Sequence, residues 1–149
     1  MESAAPTPNA ARDRFDCMAR SRVEEFAPLR QRLAAWARAA GVSERTLDSA
    51  ILVLDELFAN CVMHGYPGNP DGRIEVQAWR DGDMLLVLIR DQAPAFNPLL
   101  VPLPDTQASI EERAIGGLGL MFVRRTADSL EYRRTADGNE VIFGKRQVQ

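Results

Sequence analysis

Apolar residues recur along the chain at spacings that predict five strands and three helices. Alternation over Arg14–Arg20 predicts the first strand. A helix follows, because apolar residues between positions 23 and 40 recur at three- and four-residue steps. Pro28 fits this helix only within its first turn, and Gly41 is expected to cap its C-terminus.

A second helix is predicted from the N-cap Ser43 to about His64, where Gly65 and Pro67 stop it. The later elements are, in order, strands over residues 73–80 and 84–89 joined by Asp81-Gly82, a helix over about 118–127, and strands over 130–134 and 141–145. This order predicts an α/β (α+β) two-layer sandwich, with helices on one face of a mixed, mainly antiparallel sheet.

The segment over residues 97–115 is the one long stretch without a regular pattern. It contains three prolines, and Ser109-Ile-Glu-Glu112 predicts one short helical turn with a capping box. Irregular segments of this length in compact domains are often lids, although a plain connector is the alternative. Residues 1–12 are expected to be a disordered tail, and residues 13–149 a single domain.

Composition excludes several classes of protein. The chain has 149 residues, of which 46% are hydrophobic and 26% charged, which suits one domain with a real core. A net charge of -3 argues against nucleic-acid binding. We find no secretory signal and no apolar run of membrane-spanning length, so a cytoplasmic protein without membrane contact is expected. Cys17 and Cys61 are expected to be reduced thiols.

The candidate chemistry begins on the second helix, where Glu56 and Asn60 lie four residues apart and therefore on one face. Taken alone, this pair is also what an ordinary polar stripe of an amphipathic helix would show. Asp91 ends a strongly apolar strand, where an unpaired acid would be costly, so it should have a donor partner. A salt bridge to a neighbouring Arg, such as Arg90, is the competing structural explanation.

A glycine cluster precedes the third helix, at Gly116, Gly117 and Gly119. Such a cluster lets backbone N–H groups approach a phosphate at a helix N-terminus, but it is also found in flexible turns. His64 is the only histidine, and no Gly-x-Ser-x-Gly motif accompanies it, so hydrolase triads are not indicated. Arg124 and Arg125 are expected to be solvated, with a phosphate or partner contact as the alternative.

Together these motifs resemble the GHKL family of ATP-binding domains, most closely its anti-sigma-factor serine/threonine kinase branch. The resemblance rests on three segments in order: Glu56-x-x-x-Asn60 running on into His64-Gly65-Tyr66, Asp91-x-Ala-x-x-Phe-Asn-Pro98, and Gly116-Gly-x-Gly-Leu120. It implies a Bergerat ATP-binding fold. The family usually has Gly where this chain has Ala93, and the added methyl group implies moderate ATP affinity.

The resemblance also implies a role for each site residue. Glu56 would be the catalytic base, with its pKa raised by apolar surroundings. Asn60 would hold Mg²⁺, with a buried structural asparagine as the alternative. Asp91 would select adenine. The other implied nucleotide-binding positions are Ala93, Phe96, Gly116, Gly117, Leu118, Gly119 and Leu120.

The function implied by the resemblance is a Mg-ATP-dependent serine/threonine-protein kinase that acts as an anti-sigma factor. It would phosphorylate an anti-anti-sigma protein with a STAS domain and would sequester a sigma factor or a similar regulator. A homodimer that forms through the first strand and helix is implied in the same way. Two alternatives stay open: an ATP-binding switch module that transfers no phosphate, and a small ATPase.

Overall fold

The computed structural model describes residues 14–100 and 117–148, which form one antiparallel sheet covered by helices. Five strands pair in the order β1-β2-β3-β5-β4. Their bounds are β1 Arg14–Arg20, β2 Arg73–Asp81, β3 Met84–Asp91, β4 Ser129–Arg134 and β5 Asn139–Arg146. All four pairings between these strands are antiparallel, so within the described residues the sheet lacks the parallel pairing that a mixed sheet would contain.

Three α-helices cover one face of this sheet, as predicted. They are α1 Phe26–Ala39, α2 Glu44–Asn60 and α3 Gly117–Thr126. A 3-10 turn over Val23–Glu25 precedes α1, and a second one lies at Pro98–Leu100. One continuous core of buried side chains fills the space between the two layers. The two-layer α+β fold is therefore confirmed.

Helix α2 begins and continues as its sequence dictates, except at its last turn. The side chain of Ser43 caps it by accepting a hydrogen bond from the Thr46 N–H at 3.3 Å. After Asn60 the helix widens into a π-helical turn over Cys61–Gly65, which the apolar periodicity of the sequence did not predict. Such widened turns occur frequently at functional sites.

Two connections contain a residue with positive φ: the one that follows the C-terminus of α1 and the turn of the β2–β3 hairpin. Gly41 follows α1 with a φ of 81°, and Gly82 lies in the hairpin turn with a φ of 60°. Both were predicted as cap and turn residues, because only glycine adopts this conformation without strain. Pro28 is the third residue of α1, within its first turn as expected.

Some expectations cannot be compared with the structure. The tail over residues 1–12, the capping box at Ser109-Ile-Glu-Glu112 and Gly116 lie outside the described residues.

Cys17 and Cys61 are both free thiols. Among the residues that the structure describes, no helix is long and apolar enough to cross a bilayer.

Candidate functional site

A cleft opens where the end of α2 meets the ends of β3 and β5. It is open to solvent and contains about 370 Å³ of atom-free space. Its lining is mainly apolar with a few convergent polar groups, as ligand sites usually are. The lining residues are Leu57, Asn60, Cys61, Gly65, Ile89, Asp91, Phe96, Pro98, Asn139 and Val141. The structure thus brings Asn60, Asp91 and Phe96 together in one cleft.

Asp91 is the buried acid of this cleft, with an exposed fraction of 7%. Its Oδ1 atom accepts hydrogen bonds from the Ala93 N–H at 3.0 Å, the Asn139 N–H at 3.2 Å and the Asn139 side-chain amide at 2.9 Å. Among the described residues, its Oδ2 atom accepts one hydrogen bond, from the Cys61 thiol at 3.4 Å. Oδ1 is therefore satisfied by the fold, whereas Oδ2 retains capacity for a further donor.

Arg90 does not neutralise Asp91. Its guanidinium instead pairs with Glu140 at 2.7 Å and with Glu75 at 3.4 Å. These residues lie on the sheet face that the helices leave uncovered, because successive side chains of a strand point to opposite faces. The salt bridge to Arg90, named as an example of the competing explanation for Asp91, is thus absent.

Asn139 is a site residue that the sequence did not reveal. Its side-chain nitrogen donates to Asp91 Oδ1 at 2.9 Å and to the Pro94 carbonyl at 2.9 Å. Its side-chain oxygen accepts from the Phe96 N–H at 3.0 Å and from the Tyr132 hydroxyl. Asn139 therefore fixes both the acid and the loop that follows it. In the sequence it reads only as the residue after the Asp137-Gly138 turn.

Cys61 supplies the second polar contact of Asp91. Burial raises the pKa of its thiol well above the ordinary value, and the nearby negative charge and hydrogen bond of Asp91 raise it further. The thiol consequently stays protonated and can act as a weak donor to Asp91 Oδ2. The sequence predicted a reduced thiol at Cys61 but gave no sign of this contact.

Gly65 and Ala93 bring the π-helical turn against the loop after β3. A Cβ atom at Gly65 would lie 3.1 Å from the Ala93 methyl group and 3.6 Å from Asp91 Oδ2. Ala93 itself is 2% exposed, and no non-glycine residue in the described ranges has a positive φ. The loop therefore accommodates Ala93 without the backbone conformation that glycine alone would favour.

Two aromatic rings lie at the mouth of the cleft. Phe96, which lines the cleft, stacks on His64 with ring centroids 5.3 Å apart and planes inclined by 17°. His64 is exposed at the end of the π-helical turn. The histidine thus lies at the edge of the cleft.

Glu56 lies one helical turn before Asn60 and faces α3. Its carboxylate lies so close to Gly119 that a Cβ atom there would collide with Oε2. Burial raises the pKa of Glu56, and the negative charge of Asp55 adds a smaller contribution. The raised pKa agrees with the prediction and makes this carboxylate a better proton acceptor.

The glycine segment is only partly described. Gly117 begins α3 and is followed by Leu118, while the Leu120 side chain is 4% exposed and belongs to the packed side of the helix. Gly119 leaves room for the Glu56 carboxylate, which is a different use of a missing side chain from the predicted approach to phosphate. Glu56 therefore lies beside the start of α3.

Asn60 provides the observation that bears on a metal ion. Its side-chain amide nitrogen is buried and has no hydrogen-bond partner within the described residues. Buried polar atoms are nearly always paired, so this N–H donor favours a hydrogen-bond acceptor in the cleft, such as a phosphate oxygen, whereas the oxygen of the same amide is the atom that could bind a metal ion. No group of three or more His, Cys, Asp and Glu side chains in residues 14–100 and 117–148 could hold a metal. One amide ligand suits Mg²⁺ when substrate phosphates supply further oxygens.

Comparisons with known proteins agree with this geometry. Residues 19–145 match the family described as the histidine kinase-like ATPase domain. The chain is 26% identical over 131 residues to an anti-sigma F factor from Heyndrickxia coagulans, a match that covers 87% of this chain and 88% of that protein.

Two solved structures share the fold. The RsbU and RsbW domains of a protein from Mycobacterium tuberculosis align with a TM-score of 0.65 at 16% identity, covering 91% of this chain and 33% of that one. A histidine kinase domain from the blue-light activated histidine kinase of Erythrobacter litoralis EL346 aligns with a TM-score of 0.50 at 17% identity, covering 68% and 45%. The chain therefore spans about a third and just under half of these two structures.

Proposed function

The chain belongs to the histidine kinase-like ATPase domain family, and from this premise we propose that it is a Mg-ATP-dependent serine/threonine-protein kinase that acts as an anti-sigma factor. The similarity to an anti-sigma F factor supports this branch of the family. In this proposal the protein works in the cytoplasm within a partner-switching circuit, and it dimerises through β1 and α1.

The proposal rests on the difference between the two oxygens of Asp91, since the fold holds Oδ1 and leaves Oδ2 able to accept a further hydrogen bond. Three N–H groups hold Oδ1, so the carboxylate is fixed before any ligand binds. Oδ2 lies at the cleft and, within residues 14–100 and 117–148, accepts a hydrogen bond from the weak Cys61 donor alone, so the exocyclic amine of adenine can donate to it. Guanine carries a carbonyl oxygen at that place, which would face a carboxylate. The site is thus suited to adenine.

The phosphate end of the nucleotide is assigned to α2 and the start of α3. Asn60 would hold Mg²⁺ through its side-chain oxygen, since rotation about the last side-chain torsion exchanges its oxygen and nitrogen. When bound, Mg²⁺ would offset the negative charge of the phosphates. Glu56 would accept the proton of the attacking hydroxyl, because it is partly buried and its pKa is raised.

The acceptor in this proposal is a Ser or Thr hydroxyl on an anti-anti-sigma protein with a STAS domain. The second partner is a sigma factor or a similar regulator, which the kinase sequesters when the STAS protein is phosphorylated. Both partners come from the family resemblance and from the name of the anti-sigma F relative.

Glu56→Gln tests whether phosphate is transferred. The purified protein is incubated with γ-labelled ATP, Mg²⁺ and the STAS-domain proteins of its own genome, and label on protein and free phosphate are measured. We expect the variant to lose labelling about a hundredfold or more, within the range attributed to acid–base catalysis, and to keep ATP affinity. Glu24→Gln, which alters an exposed carboxylate in the first 3-10 turn, is the matched control.

The outcomes separate the kinase from its alternatives. Labelled STAS protein that disappears only in Glu56→Gln supports the kinase. Free phosphate without labelled protein would identify a small ATPase. ATP binding with neither product would identify an ATP-binding switch module, and the proposal of phosphoryl transfer would then be wrong.

A further inference from the structure

Arg124 connects helix α3 to the wall of the cleft, contrary to the prediction that it is solvated. Its Nη2 atom donates to the Pro98 carbonyl at 3.2 Å and also to the Leu99 carbonyl. These carbonyls belong to the 3-10 turn Pro98–Leu100, and the Pro98 side chain lines the same cleft as Asp91. One guanidinium thus joins the helix that carries Gly119 to a turn that lines the cleft.

Within the part of the chain that the structure describes, the turn has few other attachments that could replace this one. Asn97 closes it locally, because its side-chain oxygen accepts from the Leu99 N–H at 2.9 Å and its carbonyl accepts from the Leu100 N–H at 3.1 Å. Pro98 is buried, but Leu100 is 78% exposed and leaves the turn without an apolar anchor at that end. Hydrogen bonds from a charged donor are stronger than neutral ones, so the Arg124 contact should decide where the turn sits.

We propose that Arg124 is a positioning residue that holds Pro98 against the nucleoside end of the cleft. It acts through two backbone carbonyls of the turn, and not through a contact with phosphate. Its removal should therefore weaken binding of the uncharged nucleoside and of the triphosphate by the same factor. This inference rests on the proposed ATP site.

Arg125→Ala is a matched control for Arg124→Ala. Both residues are basic and lie in the last turn of α3, where a positive charge interacts favourably with the helix dipole. Arg125 is exposed. The two variants therefore lose the same charge at the same helix end, and Arg124→Ala also loses the hydrogen bonds to the Pro98 and Leu99 carbonyls.

The first measurement needs no nucleotide. Amide hydrogen exchange at Leu99 and Leu100 is followed by NMR in the wild type and both variants. We expect exchange about tenfold faster in Arg124→Ala, because loss of a charge-assisted contact lets the turn open more often, and no change in Arg125→Ala. Equal exchange in all three proteins would overturn the proposal.

The second measurement is titration with adenosine and with Mg-ATP. We expect Arg124→Ala to weaken both by about tenfold and Arg124→Lys, which keeps a donor, to recover part of the loss. Loss for Mg-ATP alone would mean that Arg124 contacts phosphate, and no loss for either would mean that the turn does not shape the site; both results contradict the proposal. If Arg124→Ala fails to fold, Arg124→Lys and Arg125→Lys are compared by the same two measurements, with smaller changes expected in the same direction for Arg124→Lys alone.

The design keeps failure of this inference apart from failure of the proposed function. A wild-type protein that binds neither adenosine nor Mg-ATP would refute the nucleotide site itself, whatever the exchange rates show. A wild type that binds both, with a variant that binds equally well, would refute only the role of Arg124.

Discussion

Replacing Asp91 with Asn should reverse the preference of the cleft for the nucleobase while leaving the fold in place. An asparagine oxygen can occupy the place of Oδ1 and accept from the three N–H groups that Asp91 now holds. Its NH₂ group then occupies the place of Oδ2 and presents a donor to the cleft. The adenine amine would meet a donor, whereas the guanine carbonyl would meet a suitable partner.

The expected size of the effect follows from these hydrogen bonds. A bond to a charged acceptor contributes about 1.5–3 kcal/mol, so its loss should weaken ATP binding by about 10- to 150-fold. The same substitution removes the charge assistance from the bonds to Oδ1. Since these bonds persist in neutral form, the free energy of unfolding should fall by only about 1–3 kcal/mol.

Isothermal titration with ATP and GTP, combined with thermal unfolding, measures both quantities. Asp83→Asn is the control, because it makes the same charge change at an exposed position in the hairpin turn just before β3. We expect the ratio of ATP to GTP affinity to fall in Asp91→Asn and to stay constant in Asp83→Asn. An unchanged ratio in a folded Asp91→Asn protein would refute the assignment of Asp91 as the group that reads the base.

Three further predictions concern other parts of the site. Asn139→Ala should lower the free energy of unfolding by about 3 kcal/mol, measured by urea denaturation, because it leaves several buried polar groups unpaired; a loss below about 1 kcal/mol would contradict this. Gly119→Ala should displace the Glu56 carboxylate and reduce phosphate transfer without destabilising α3, since Ala favours helix; full activity in a kinase assay would refute it. Because the pKa of Glu56 is raised in the folded protein, its contribution to the free energy of unfolding is complete below the ordinary glutamate pKa of 4.5 and is lost as the pH rises through the pKa of the folded state. Phosphate transfer should increase over the same pH range, because the deprotonated carboxylate can accept a proton. The free energy of unfolding, measured against pH, should fall less in Glu56→Gln than in the wild type; parallel curves for the two proteins would contradict this.

The fold was predictable from the sequence because its signals are local. Ser43 at the start of α2, Gly41 after α1 and Gly82 in the hairpin each have a side chain, or the lack of one, that suits a single backbone conformation. Apolar periodicity then determined which faces point inward. The π-helical turn escaped prediction, because its apolar pattern does not distinguish it from the end of an α-helix.

The site was only partly predictable, because several of its contacts join residues far apart in sequence. Asn139 lies 48 positions after Asp91, and only the pairing of β3 with β5 places the two side by side. Arg124 looked solvated because its partners are backbone carbonyls, which carry no residue type for a pattern to reveal. Asn60 was the converse case, since spacing alone placed it near Glu56.

The register of β3 and β5 explains why the nucleoside end of the cleft should be rigid before any ligand binds. Arg90 lies opposite Glu140, and the next pair, Asp91 and Asn139, points to the other face. Glu140 is 3% exposed and held by both Arg90 and Arg133, so displacing this end of β5 would leave a buried charge unpaired, which is costly. The ion pairs on the uncovered face therefore hold the strand ends that position Asp91, and binding of the base should cost little reorganisation.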